Sequence, residues 1–317
     1  MAKGNVYDWI TERMIAALES GTVPWRRPWL LMNAPANLIS GKTYRGVNLF
    51  SLAIAGEKYT SRWWVTAKQA RDRGGYVRKG ERSSMVVRPI IGEKRENGQP
   101  VLNAKGKPQK YFRMRYSNVF NVEQCEGFDY PKPETSEPVD TLEVCENIIG
   151  NWTDCPPIAH GGDRAYYSTR EDRIQMPARD TFDGSPEYYS TLFHECVHST
   201  GHSSRLNRTL TGPYGTSDYA REELVAEMGA AFLCGVAGIE CKTLDNSASY
   251  IANWLQRLKN DSKLVVTAAK QAQAAAEYMQ GIEAPKYDND DSDSDKSDDS
   301  DKSVARSYSD SQVALVA

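Results

Sequence analysis

Three residues of this 317-residue chain stand at a spacing that does chemistry: His194, Glu195 and His198, in the run Phe193-His194-Glu195-Cys196-Val197-His198. Residues four apart on a helix are offset by only about 40° around its axis, so both imidazoles face the same way and can grip one cation. In a His-Glu-x-x-His zinc site the glutamate between the ligands acts on water at the metal. His194 and His198 are therefore candidate ligands, Glu195 is the candidate catalytic group, and the expected ion is zinc or another divalent metal. A histidine pair at this spacing also occurs on ordinary helix surfaces. Here, however, the chain has only four histidines, and three of them, His194, His198 and His202, fall within nine residues.

A hydrolytic zinc takes three protein ligands and keeps a fourth position open. A second helical pattern, capped at Thr216-Ser217-Asp218 and running from Tyr219 to Leu233, supplies the carboxylates. Glu223 and Glu227 share one of its faces. Glu223 is expected as the third ligand, with Glu227 accepting a hydrogen bond from the far ring nitrogen of a ligand histidine. The reverse assignment fits nearly as well. If both were merely solvated, the metal would keep only two protein ligands. Gly201 follows His198 as in the longer His-Glu-x-x-His-x-x-Gly-x-x-His pattern, but Ser204 stands where the third histidine belongs. The metzincin reading therefore fails, and His202 is left as a group facing substrate, a neighbour of a ligand, or a solvated loop residue.

The elements that must position these residues are legible. Ser185 is expected as N-cap, Pro186 suits the first helical position, and Glu187 suits the positive end of the helix dipole. Tyr189, Leu192, Phe193, Cys196 and Val197 form an apolar stripe that buries the other side, and Gly201 is the expected stop. Arg164–Ser168 and Asp172–Pro177 predict a hairpin before the metal helix, an edge to which an extended peptide can add. Beyond the glutamate helix, Tyr250, Ile251, Trp254, Leu255 and Leu258 mark another helix, and the Ala-rich stretch 262–280 a further one.

The first half has a different character. Residues 1–128 hold 22 Lys and Arg against 10 Asp and Glu, whereas 129–286 hold 14 against 23. After a predicted helix over 6–20 come Val23-Pro24-Trp25-Arg26-Arg27-Pro28-Trp29, then Thr43-Tyr44-Arg45-Gly46-Val47-Asn48, then Trp63-Trp64 with Lys68, and a turn with Lys79. Aromatics interleaved with cations suit single-stranded nucleic acid, because unstacked bases lie on aromatic faces while cations neutralise phosphates. Trp25, Arg26, Arg27, Trp29, Tyr44, Arg45, Asn48, Trp64, Lys68 and Lys79 are the candidate contacts. The competing reading makes the tryptophans core and the cations a solvated face. No groove-reading helix for duplex DNA stands out. Residues 84–90 and 111–122 alternate apolar and polar like paired strands, joined by the polar segment 91–110.

These patterns imply an α+β protein of two domains, a basic one over 1–128 and a metal-bearing one over 141–286, joined by a linker over 129–140 rich in Pro, Glu and Ser. A short helix is expected at about 141–151. No apolar run reaches the roughly 18 residues that a bilayer span needs, and the N-terminus leads into an amphipathic helix rather than a secretory core, so no membrane is expected and the cytoplasm is the expected compartment. Six cysteines without a Cys-x-x-Cys pair read as reduced, buried small residues. From Tyr287 to Lys302 the chain carries eight Asp against two Lys, too polar to build a core, so 287–317 is expected as an acidic disordered tail that keeps the protein soluble or mimics nucleic acid.

Pro24-Trp25, Tyr44-Arg45-Gly46-Val47-Asn48, Trp64, Lys68-Gln69 and Lys79-Gly80 resemble the ArdC family of antirestriction proteins and the N-terminal region of plasmid TraC primases. His194 to His202, Arg205-Leu206 and Glu222-Glu223-Leu224-Val225-Ala226-Glu227 are similar to the zincin-like metallopeptidase domain of the same family. The resemblance covers roughly 6–280 and implies a single-stranded-DNA-binding domain joined to a metallopeptidase-fold domain, carried by mobile elements and protecting incoming DNA from restriction. Two alternatives accompany it: a zinc protease acting on a host protein or peptide, and a primase-associated accessory protein.

Overall fold

The computed structural model describes residues 6–26, 34–103, 105–132, 140–210, 216–241 and 248–283. Most of the linker and all of the acidic tail lie outside them, as do Arg27 and Trp29. By internal contact, Met1–Ile90 with Phe112–Ala284 form one unit, and Ile91–Tyr111 belongs to a second.

The first half opens with α1 (Val6–Glu19), whose Ile10, Met14 and Leu18 recur at helical spacing and are buried. It continues through β1 (Ala36–Asn37), α2 (Val47–Gly56), β2 (Trp63–Val65), α3 (Ala67–Asp72), β3 (Tyr76–Val77), β4 (Ser84–Glu93), β5 (Arg95–Glu96), β6 (Gln99–Pro100), β7 (Lys110–Asn121) and β8 (Cys125–Glu126). One sheet has the order β1-β2-β7-β4. β1 runs parallel to β2, and β2 antiparallel to β7 in the register Trp64 to Asn121. The predicted pairing of 84–90 with 111–122 is thus the β4–β7 ribbon. A true capping box starts α3, where Thr66 accepts from Gln69 N and Gln69 reaches back to the Thr66 N–H.

In the second half come α4 (Thr141–Gly150), β9 (Ile158–His160), β10 (Tyr166–Ser168), β11 (Arg173–Met176), α5 (Ser185–Thr200), α6 (Ser217–Ala237), α7 (Ala248–Asn260) and α8 (Leu264–Met279). β10 and β11 form the expected hairpin, with β9 parallel on the far side of β11, so β10 is an edge of this sheet. The cap of α5 differs from expectation. Gly184, not Ser185, is the N-cap; its φ of 89° brings the chain into the helix by a conformation that costs glycine little. Glu187 then accepts the Asp183 N–H, which satisfies the helix entrance from inside the first turn. Thr216 does cap α6, accepting from Tyr219 N at 3.3 Å.

The two halves do not have separate cores. One buried cluster contains Ile10, Met14, Trp25 and Phe50 from the first half together with Leu224, Phe232, Trp254 and Val265 from the second. Phe50 stacks on Phe232 with centroids 5.0 Å apart. The boundary expected at 128 therefore separates two sequence-defined domains without separating two hydrophobic cores, because the amphipathic faces of α1 and α2 need the faces of α6, α7 and α8 to leave water.

Candidate metal centre

α5 and α6 approach closely where α6 carries Gly229: a Cβ there would sit 2.7 Å from Val197 Cγ2. That contact brings the histidines of α5 over the glutamates of α6. His194 Nε2 and His198 Nε2 are 3.1 Å apart, Glu223 Oε2 is 3.7 Å from His194 Nε2, and Glu223 Oε1 is 3.6 Å from His198 Nε2. Ligand atoms about 2.0–2.1 Å from a tetrahedral ion lie roughly 3.3 Å from one another. The His194–His198 edge is near that value, each Glu223 oxygen faces one of the histidines, and one donor atom from each of the three residues lies within 4.8 Å of the others, so the triad is grouped for a small divalent cation. The side chains of His194, His198 and Glu223 are 12%, 15% and 28% exposed, which leaves the glutamate side open to a further ligand.

Electrostatics agree with the geometry. Burial, helped by the neighbouring His198 charge, holds the His194 pKa well below its ordinary value, which keeps a lone pair available. Burial also pulls on His198, but its hydrogen bond to Glu222 and the charges of Glu223 and Glu195 override it and raise the pKa to about 9. Three carboxylates around one buried point favour a positive charge there. Glu195 is 6% exposed, and burial, with some help from Glu223, raises its pKa against the opposing pull of His198 and the Tyr167 backbone N–H.

The carboxylate beside the far ring nitrogen of His198 is that of Glu222, not Glu227. Glu222 Oε1 lies 3.4 Å from His198 Nδ1. Arg208 fixes it in turn, donating to both Glu222 oxygens, to Val197 O and to Thr200 Oγ1. Burial raises the Glu222 pKa, but the bonds from His198 and Arg208 outweigh it and hold the carboxyl below its usual value. Glu222 was hidden in the sequence because it stands beside Glu223, about 100° around the helix; only the doublet Glu222-Glu223 pointed to it. Glu222→Ala should weaken divalent-metal affinity about 10- to 100-fold while leaving three ligands in place. A chelator-competition titration reads this, and an unchanged affinity would remove Glu222 from the site.

Glu227 serves elsewhere. Its Oε2 accepts from Trp25 Nε1 at 2.7 Å and from the Tyr250 hydroxyl, so it ties the first half to α7 and can be neither third ligand nor histidine partner in this arrangement. His202 is not a ligand either; its Nδ1 is 2.8 Å from Ser204 Oγ and 3.8 Å from Asp172 Oδ2. Asp172 also receives Arg205 and Tyr167, and Arg205 Nε donates to Ser199 O at the end of α5.

Several expected nucleic-acid contacts are corrected too. Trp25 and Trp64 are 0% and 1% exposed and cannot stack on a base. Tyr44 packs against the cluster of Leu52, Trp64, Val86 and Val119, and burial raises its pKa. Arg45 is consumed by buried Glu277, and Asn48 bonds both backbone groups of Val87, at 2.7 and 2.8 Å. These residues hold α2 to α8 and to the sheet. Lys68 is exposed but stands 3.5 Å from Asp72, and Lys79 is exposed. The Arg26 side chain, Arg27 and Trp29 lie outside the described residues. No described helix is long and apolar enough to cross a membrane.

Comparison with known proteins agrees with both halves. Residues 4–120 match the N-terminal domain of anti-restriction factor ArdC, and residues 148–271 match a zincin-like metallopeptidase family. The metal-free crystal structure of antirestriction ArdC from plasmid R388 is 34% identical with a TM-score of 0.69, covering 89% of this chain and 100% of that one. Its Mn(II)-bound structure is 35% identical with a TM-score of 0.67, covering 88% and 98%. The uncharacterized protein y4eC of Sinorhizobium fredii is 33% identical over 87% of this chain and 91% of that protein. Two DNA primases TraC from Escherichia coli are 34% and 32% identical, but the chain spans only 20% and 27% of their lengths. A donor triad spaced for a divalent metal, a zincin-like domain around it and a full-length match to a solved antirestriction protein together place this chain in the ArdC family of antirestriction proteins.

Proposed function

We propose that the chain protects incoming DNA by binding it single-stranded through the basic N-terminal domain, and that its zincin-like domain holds zinc at His194, His198 and Glu223. The observation that supports DNA binding best is the density of cations along one continuous stretch. Between Arg88 and Arg115 stand eight Lys and Arg against two Glu. Strand alternation puts Arg113 and Arg115 on one face of β7, and Tyr116 on the opposite face is 52% exposed. Cations spaced along an extended ribbon suit a flexible strand better than a rigid duplex. Titrating the full chain with single-stranded and duplex DNA at several salt concentrations tests this. The single strand should bind more tightly, log affinity should fall with log salt by about 0.7 per phosphate contacted, and replacing Arg88, Arg113 and Arg115 by Gln should flatten that slope. Salt-independent binding, or equal affinity for duplex, would overturn the reading.

A second reading, peptide hydrolysis, is favoured by Glu195, since a purely structural metal needs no buried carboxylate beside its ligands. His194, His198 and Glu223 would hold the zinc, which when bound would supply a Lewis acid that brings the pKa of water down to about 7. Glu195, its own pKa raised by burial, accepts the proton of the attacking water and delivers it to the leaving amine. The edge strand β10, whose Tyr167 N–H faces Glu195, offers backbone groups that align an extended peptide beside the triad.

A further inference from the structure

The hairpin within 91–111 is a rigid carrier of lysines. Asn97 and Gly98, both at positive φ, turn β5 into β6, as an Asn-Gly pair does in a tight hairpin. Lys94 N donates to Gln109 O and Val101 N to Lys94 O, both at 2.8 Å, so the outer arms pair as well. At the second turn Asn103 Oδ1 accepts the backbone N–H groups of both Lys105 and Lys107, at 2.9 and 3.1 Å. The chain therefore presents Lys94, Lys105, Lys107 and Lys110 from fixed backbone, all exposed, and none has an acidic partner among the described residues. The acids of this hairpin are Glu93 and Glu96, and Glu93 already faces Arg95 at 3.8 Å.

At its other end the chain carries a complementary charge. Residues 287–302 hold eight Asp and two Lys, interleaved with Ser, and lie beyond the last residue matched by either family. From the end of the described chain at Glu283, residues 284–302 reach up to about 60 Å when extended.

We propose that the Asp-rich segment 287–302 occupies the lysines of the 91–111 hairpin of its own chain, and that nucleic acid must displace it. A tethered segment is present at an effective concentration on the order of millimolar, so even a weak ion-pair contact competes with DNA phosphates. Weak or nonspecific ligands are shed, while a long strand contacting the whole basic stretch prevails. The inference rests on the nucleic-acid reading only for what does the displacing.

Two measurements on the full-length chain test it. In the first, all eight Asp of 287–302 are changed to Asn and single-stranded DNA is titrated by anisotropy. The neutralised chain should bind about fivefold more tightly at 50 mM salt, and the difference should vanish near 0.3 M, where the screening length falls to roughly 6 Å. An equal affinity for both chains at low salt would overturn the proposal, and so would a gain that grows with protein concentration, which would mean that the segment acts on a second copy. In the second, a labelled peptide of sequence 284–303 is titrated onto the neutralised chain, without DNA. Binding that disappears when Lys94, Lys105, Lys107 and Lys110 become Gln supports the proposal; no binding, or binding indifferent to the four lysines, overturns it. Because this arm contains no nucleic acid, it decides the contact even if neither chain binds DNA.

Discussion

Trp25→Ala is expected to lower stability by about 3–5 kcal/mol, enough to threaten folding of a chain whose net stability is of the order of 5–15 kcal/mol. The indole is fully buried, meets Trp254 edge-on with centroids 5.9 Å apart, and donates its N–H to Glu227, itself only 7% exposed. Truncation would leave a large cavity between the first half and α6, and would remove one of the donors that stabilise a buried carboxylate. In a chain of this length the loss corresponds to a fall in Tm of roughly 6–20 °C. Trp25→Phe keeps most of the ring and loses only the hydrogen bond, so its cost should be about 1–3 kcal/mol. Thermal and urea unfolding followed by circular dichroism reads both variants. Should Trp25→Ala melt within about 2 °C of wild type, a loss of about 1 kcal/mol or less, the shared core is wrongly drawn. One consequence bears on function: weakened DNA binding in Trp25→Ala reports lost folding, not a lost stacking contact.

The metal helix was legible because every clue to it is local. Two histidines four apart, a proline in the first turn and an apolar stripe all lie within the span of α5. Glu223 followed from the same reasoning applied to α6, since one helix face must meet the other. What was not legible depended on partners far along the chain. Trp25 between proline and arginine looks the same whether it waits for a base or for Glu227, and Glu227 stands 202 residues later. Arg45 has the composition of a phosphate contact until α8 brings Glu277 to it. Net charge located the basic half correctly but could not say which cations are spent on ion pairs. Of the aromatic motifs of the first half, Trp25 joins the core shared with the second, whereas Tyr44 and Trp64 pack in a cluster within the first half itself. Eight of its 22 cations stand on the β4–β7 ribbon and its hairpin, whose segment 91–110 read only as a polar connection between two strands.

Glu195→Gln separates the two functional readings, because the side chain has a role in only one of them. The amide keeps the volume and the oxygen facing the Tyr167 N–H, and it removes a carboxyl whose pKa burial has already raised, so folding should be unaffected or slightly improved. Metal content should stay near that of wild type, since His194, His198 and Glu223 are untouched, whereas His194→Ala and His198→Ala should lose the ion; elemental analysis of the purified variants reads this. Any peptide cleavage should fall by about 10²–10⁴-fold, the usual loss when a positioned acid-base group is removed. Protection of a transferred plasmid is the separate measurement. If coating a single strand is what protects, transfer into a restricting host should be as efficient with Glu195→Gln as with wild type, and should drop when Arg88, Arg113 and Arg115 are changed to Gln. The opposite pattern, with protection lost in Glu195→Gln while metal content and DNA affinity hold, would end the binding-only account: the buried carboxylate would then be needed for proton transfer, and hydrolysis of a partner protein would be the activity that protects.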